Sequence, residues 1–186
     1  MARTESTMLE LGTPAPNFQL PDVVSGKTIA LRDFEGKKAL LVMFLSRHCP
    51  YVQHIKRGLA SLAGDYRGKP VAMVAISSNY VADYPADAPS SLKEMAAELD
   101  FDFPFCYDES QAVAKAYRAA CTPDFFLFDH GRRLAYRGQL DSSRPGTSTP
   151  VTGRDLRAAI AALLAGRQVD PVQQPSLGCN IKWRSS

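Results

Sequence analysis

The chain has 186 residues, 45% apolar and 22% charged, the composition of one ordinary globular domain with room for a real core. Its 22 basic and 19 acidic residues leave a formal charge of +3, too slight and too scattered to suggest nucleic acid. No stretch approaches the roughly 18 apolar residues a membrane helix needs, and no apolar segment follows a basic start, so no membrane partner and a cytoplasmic location are expected. Four cysteines, Cys49, Cys106, Cys121 and Cys179, are then expected to serve packing, catalysis or a metal rather than a disulfide framework.

Along the chain, Phe18 and Leu20 alternate among prolines as a short edge strand. Residues 25–27 make a turn, residues 28–31 a second strand and residues 33–36 another turn, which together predict a hairpin. Residues 40–45 form an unbroken apolar run, the pattern of a strand buried on both faces. After Ser46, Arg47 and His48 comes Cys49, then Pro50 in the place that suits the first turn of a helix. Val52, Ile55, Leu59 and Leu62 follow at helical spacing to about residue 66. Cys49 therefore lies at a helix N-terminus, where unpaired N–H groups and the helix dipole favour an anion. A partly exposed thiol with a lowered pKa is expected there, against the plain alternative of a small, buried, inert side chain.

Residues 71–77 read as a parallel strand reached by that helix, and residues 78–89 as a long irregular loop of the kind that often belongs to a site. A helix capped by Ser90 or Ser91, with Glu94 completing a capping box, carries Leu92, Met95, Ala96 and Leu99 and ends near Asp100. Residues 101–107 alternate as a strand that places Cys106 among aromatics as packing, and residues 110–118 form a further helix. Cys121, Thr122 and Pro123 lead into a strand at 125–128, whose hairpin partner begins at Leu134 after a turn at 129–132. A polar loop at 141–151 precedes a last helix capped by Thr152, with Asp155 in its first turn and a stop at Gly166. Residues 167–186 lack periodicity but hold Leu177, Cys179, Ile181 and the sole tryptophan, Trp183, so this tail is expected to dock.

This order of elements, with residues 12–18 and Leu20, residues 31–37, the strand before Cys49, Asp108 with residues 112–117, and Thr122-Pro123 before residues 126–129, resembles the thioredoxin-like superfamily. Within it the likeness is to the alkyl hydroperoxide reductase and thiol-specific antioxidant, or peroxiredoxin-like, group. It implies an α/β fold with a central mixed sheet flanked by helices, an N-terminal β-hairpin and an inserted helix. Residues 1–166 form the domain and 167–186 the docked tail. Two departures stand out. Thioredoxins use Cys-x-x-Cys, whereas Cys49 is followed by Pro50, Tyr51 and Val52. Peroxiredoxins place a proline seven residues and a threonine or serine three residues before their cysteine; Ser46 meets the second condition and Val42 fails the first. Their arginine lies where this chain has Thr122-Pro123, the thioredoxin-type proline that looks cis; Arg118 or Arg137 is a possible substitute, though an arginine near a sheet more often faces solvent.

The resemblance implies thiol redox chemistry. Cys49 attacks a disulfide or a hydroperoxide, and a second thiol resolves the intermediate; because a tail approaches and withdraws more cheaply than a sheet, Cys179 is favoured, then Cys121, with an unpaired Cys49 as the remaining alternative. His48 and Pro50 flank the nucleophile, and the backbone at Thr122 and Pro123 receives an extended substrate. Weak peroxidase activity is expected, with no cofactor. The partners implied are a reducing thiol donor, either thioredoxin or a small thiol, and a protein disulfide or hydroperoxide. Oligomeric state is left open. The alternative is a redox-inert binding module that keeps the thioredoxin groove; a metal site built from Cys49, His48, Cys121 or Cys179 has no ligand spacing behind it.

Overall fold

The computed structural model describes residues 3–185. In chain order the strands and helices are β1 (Arg3–Glu5), β2 (Gln19–Pro21), β3 (Thr28–Ala30), β4 (Ala39–Phe44), α1 (Pro50–Tyr66), β5 (Val71–Ser77) and α2 (Pro89–Glu98). There follow β6 (Phe105–Tyr107), α3 (Ala112–Ala116), β7 (Cys121–Thr122), β8 (Asp124–Phe128), β9 (Leu134–Tyr136), α4 (Arg154–Leu164) and β10 (Leu177–Asn180), with 3-10 turns at Leu31–Phe34 and Pro85–Asp87. Five strands form the central sheet in the order β6-β5-β4-β8-β9. β4 runs parallel to β5 and antiparallel to β8, which makes the sheet mixed.

The apolar run of β4 is buried at all six positions because both faces of the sheet are covered. Strand alternation sends Ala39, Leu41 and Met43 toward one core with Val52, Ile55 and Leu59 of α1 and Leu156 and Ile160 of α4. Leu40, Val42 and Phe44 face the other core with Phe18, Phe34, Tyr117 and Phe126. Each such fully buried side chain contributes roughly 1.5–3 kcal/mol, so these two layers hold β4 and the turn that leaves it. The N-terminal hairpin stands apart from the central sheet as the pair β2-β3, and α2 is the inserted helix between β5 and β6.

Local details depart from expectation where distant groups replace local ones. α2 begins at Pro89 with Ala88 as its N-cap and no side-chain capping bond; Glu94 pairs with Arg47 at 2.7 Å instead of closing a box with Ser91. α4 is capped by Gly153 in a left-handed conformation, and the buried carboxylate of Asp141 accepts the N–H groups of Thr152 and Gly153 at 2.7 and 2.6 Å. β6 is confined to three residues, with Phe101 and Phe103 stacked outside it. Among the described residues no helix is long and apolar enough to cross a membrane.

The tail, expected to dock, contributes a strand. Leu177–Asn180 is a strand lying between β1 and β7 in a three-stranded sheet. Gly178 faces Thr4, and Cys179 faces Thr122. The C-terminal segment is thus part of a sheet and not a loosely laid arm.

Candidate functional site

β4 delivers the chain at Leu45 to the end of the sheet, and residues 46–49 turn it into α1. Cys49 is the N-cap of that helix and Pro50 its first residue, exposed. The expectation of a partly exposed thiol is corrected by the structure: Cys49 is 0% exposed. Its Sγ makes no capping bond to the helix N–H groups and instead donates to the carbonyl oxygen of Thr122 at 3.0 Å, a bond that requires the S–H proton. The reason is cover supplied from far along the chain by β7 and β10.

The Thr122–Pro123 peptide bond is cis, and it faces Cys49 through that hydrogen bond. The edge of Thr122, expected to be open to an extended substrate, is occupied by Cys179 of β10. In an antiparallel ladder opposed residues share a face and successive residues alternate. Cys179 therefore lies on the same side as Thr122, with Cys49 in one packed cluster, while Cys121 opposes Asn180 on the other side. Burial, together with a side-chain contact with Cys49, pushes the Cys179 thiol up to about 12. Burial, helped by the charge of Asp124, pushes Cys121 above the usual thiol range, and Cys106, packed at 0% exposure, is pushed up to about 12 by burial.

His48 is held by a group that no local pattern revealed. Its Nδ1 lies 2.6 Å from Oδ2 of Asp87, which also accepts from Ser46 Oγ at 2.8 Å and Asn79 Nδ2 at 2.7 Å. Oδ1 accepts the Arg47 N–H at 2.6 Å. One fully buried carboxylate thus fixes the turn immediately before Cys49. Burial would raise its pKa, but the hydrogen bonds from His48, Asn79 and Ser46 outweigh burial and hold the carboxyl below its ordinary range. The His48 ring stacks on Tyr84 at 5.1 Å and is largely covered, its side chain 16% exposed. The signal available beforehand was the long loop at 78–89, which indeed supplies Asn79, Tyr84 and Asp87. His54 contacts Ser143 at 2.7 Å, on the face of α1 toward the 141–151 loop.

A group whose folded pKa is depressed adds stability above its unfolded pKa and loses it as pH falls through the folded value. Asp87 therefore stabilises the fold at neutral pH and ceases to do so on acidification below about 4. Replacing Asp87 by asparagine is expected to cost about 1–3 kcal/mol at pH 7 and to flatten the acid limb of stability against pH. Urea unfolding of both proteins between pH 3 and pH 7 checks this, and parallel curves would reject it.

Arg137 is also placed differently from expectation. It is fully buried, stacked over the Phe126 ring at 3.8 Å, and both its terminal nitrogens bind Asp124, one of them at 3.0 Å. Asp124 follows Pro123 directly and also accepts the Ala120 N–H at 3.0 Å, so this pair braces the segment opposite Cys49. Arg118 sits at a left-handed bend after α3. Among the described residues no three His, Cys, Asp or Glu side chains converge in a metal-binding group. What the arrangement offers chemically is a pair of buried thiols, Cys49 and Cys179, in one packed cluster, which an oxidant that takes up two electrons converts to a disulfide.

The family model described as AhpC/TSA matches residues 11–137, a span that holds Cys49, Cys121 and the cis proline and stops before Cys179. No curated protein matches the chain. An uncharacterized conserved protein from Geobacillus kaustophilus is 50% identical, with a TM-score of 0.98 over 100% of this chain and 98% of that one. A hypothetical protein from Sinorhizobium meliloti is 48% identical, with a TM-score of 0.96 over 98% and 100%. The thioredoxin domain of a thiol-disulfide oxidoreductase from Bacteroides vulgatus is 17% identical, with a TM-score of 0.62 over 81% and 97%, a likeness of fold.

Proposed function

Since the chain belongs to the AhpC/TSA family, whose model spans more than half of it, we propose that it is a thiol-disulfide oxidoreductase with Cys49 as nucleophile and Cys179 as resolving thiol. The observation that carries this reading is that the two thiols meet at Thr122: Cys179 is its strand partner, Cys49 Sγ donates to its carbonyl at 3.0 Å, and both lie in one buried cluster. Cys49, as thiolate, attacks one sulfur of a substrate disulfide; a mixed disulfide forms and the other substrate sulfur leaves as a thiol. Cys179, after losing its proton, attacks the Cys49 sulfur and expels the second substrate thiol. The substrate disulfide gains two electrons and two protons, and the protein keeps a Cys49–Cys179 disulfide, which an external thiol donor reduces. At about 12, Cys179 is ionised in roughly one molecule in 10⁵ at pH 7. Once Cys49 has entered a mixed disulfide its thiol no longer presses on Cys179, and one cause of that shift disappears.

A hydroperoxide would be handled by the same pair through a sulfenic acid on Cys49, with an alcohol and then water leaving. This route is the weaker one, because Arg137 is held by Asp124 and Val42 stands where the peroxide chemistry expects proline. Oxidation with a disulfide reagent followed by peptide mass mapping tests the main reading. A Cys49–Cys179 link that a dithiol reverses is the expected product. A Cys49–Cys121 link, or four thiols left free, would reject it, and the latter outcome favours a redox-inert binding module.

A further inference from the structure

Strand β10 occupies the position that an extended substrate needs. It pairs with β7 through Cys179 and Thr122 and covers Cys49, whose Sγ donates to the carbonyl of Thr122 at 3.0 Å. The fit depends on a glycine: a Cβ on Gly178 would lie 1.9 Å from the Thr122 carbonyl oxygen. β10 is the middle strand of its sheet: three of its residues oppose β1 and two oppose β7, and two of its four residues are half-buried.

The segments on either side of the strand define what its lifting would have to break. The chain before it is irregular, with Val172 78% exposed. Ser176 Oγ donates to the Pro123 carbonyl at 2.7 Å. Beyond the strand, the Ile181 N–H donates to the Ala120 carbonyl at 3.2 Å. Next to it Lys182 is buried, its N–H donating to Asn79 Oδ1 at 2.8 Å and its carbonyl accepting from Gln111 Nε2 at 2.9 Å and from the Tyr80 N–H at 2.8 Å, while Lys115 over Trp183 at 5.8 Å and Arg184 over Tyr80 at 5.1 Å are surface contacts. The case for movement is access: Cys49 is fully buried beneath this strand, so a substrate reaches it only through a local opening, of the kind a short segment undergoes below the threshold of global unfolding.

We propose that β10 is a displaceable strand that stands in for an extended, cysteine-bearing peptide on the edge of Thr122, so that a protein disulfide reaches Cys49 only when β10 lifts off β7. The proposal rests on the assignment of Cys49 as the reacting thiol. It adds that one movement serves two ends: lifting admits the substrate strand, and return of β10 brings Cys179 back to the Cys49 sulfur while competing for the edge the substrate strand holds. The substrate class is then a locally extended peptide with a small residue before its cysteine, as Gly178 precedes Cys179.

Alkylation of reduced Cys49 by iodoacetamide, followed by mass spectrometry of its peptide, reads the cover directly and does not depend on turnover. In the full unaltered chain Cys49 is expected to react at least a hundredfold more slowly than in the urea-unfolded chain. Gly178→Val is expected to accelerate the reaction at least tenfold. A synthetic peptide with the sequence of residues 175–182 restores protection, while the same peptide carrying valine at the glycine does not. Rapid labelling of the unaltered chain, unchanged labelling of a folded Gly178→Val chain, or acceleration that the peptide fails to reverse would overturn the proposal. If Gly178→Val does not fold, hydrogen exchange on the unaltered chain decides: the Ile181 amide is expected to open at the rate that governs Cys49 labelling and well before the amides of β4. Exchange of Ile181 only together with β4 would overturn it. Failure of the redox reading alone would leave these labelling and exchange results unchanged and appear only in the disulfide map.

Discussion

Replacing Arg137 by methionine is expected to destabilise the protein by about 3–5 kcal/mol at neutral pH, a large share of the stability of a domain this size. Methionine keeps much of the apolar stem that packs on Phe126, so the loss comes mainly from the carboxylate of Asp124, left buried without its counter-charge. Burial already pushes that carboxyl up and Arg137 opposes the push; without the arginine, burial acts alone. A group whose folded pKa is raised contributes stability below its unfolded pKa and loses it as pH rises through the folded value. The deficit of the variant should therefore be smallest near pH 4 and grow toward pH 8. Adding Asp124→Asn to Arg137→Met removes the charge and should recover much of the loss, a coupling that a double-mutant cycle measures. A loss below 1 kcal/mol at pH 8, or a deficit that shrinks as pH rises, would show that the pair does not brace the segment opposite Cys49.

What the sequence revealed and what it hid divide along the range of the interactions. The runs that became β4 and β5 were legible because burial on both faces leaves a continuous apolar stretch. The start of α1 at Pro50 was legible because proline at a first turn and the spacing of Val52, Ile55 and Leu59 are local marks. The end of α4 near Gly166 followed from a glycine that adopts a left-handed angle. Asp87 was not legible: it lies 41 residues from Ser46, and nothing near it distinguishes it from other acids in a proline-rich loop. Thr152 and Asp155 offered a plausible local cap, yet Asp141 holds the N–H groups of Thr152 and Gly153, just before α4, from 11 and 12 residues away. β10 shows little alternation of its own, and its pairing depends on residues 3–5 and 121–122. The burial of Cys49 and of Arg137 follows from the same kind of distant contact, which is why a helix-start argument predicted an exposed thiol.

Replacing the site cysteines one at a time by serine is expected to separate their roles, with the largest effect at Cys49. A serine there can keep the hydrogen bond to the Thr122 carbonyl and so preserve the fold, but its hydroxyl is not an effective attacking group on a disulfide. Reduction of a protein disulfide should be abolished. Cys179→Ser leaves the first attack in place and removes the second. Turnover with a dithiol donor should fall by about a hundredfold, limited by external thiol acting on the mixed disulfide, and that adduct should accumulate in the intact mass. Cys121→Ser should stay within about twofold of the parent, because its side chain opposes Asn180 and so faces the other side of the strand from Thr122, the partner of Cys179, and burial pushes its thiol above the usual range. Initial rates with a disulfide-containing protein, and mass spectra of acid-quenched reactions, check all three together. Activity retained by Cys49→Ser would remove the nucleophile from the scheme. An adduct that accumulates in Cys121→Ser while Cys179→Ser turns over normally would transfer the resolving role to Cys121, and would require β7, not β10, to move during the reaction.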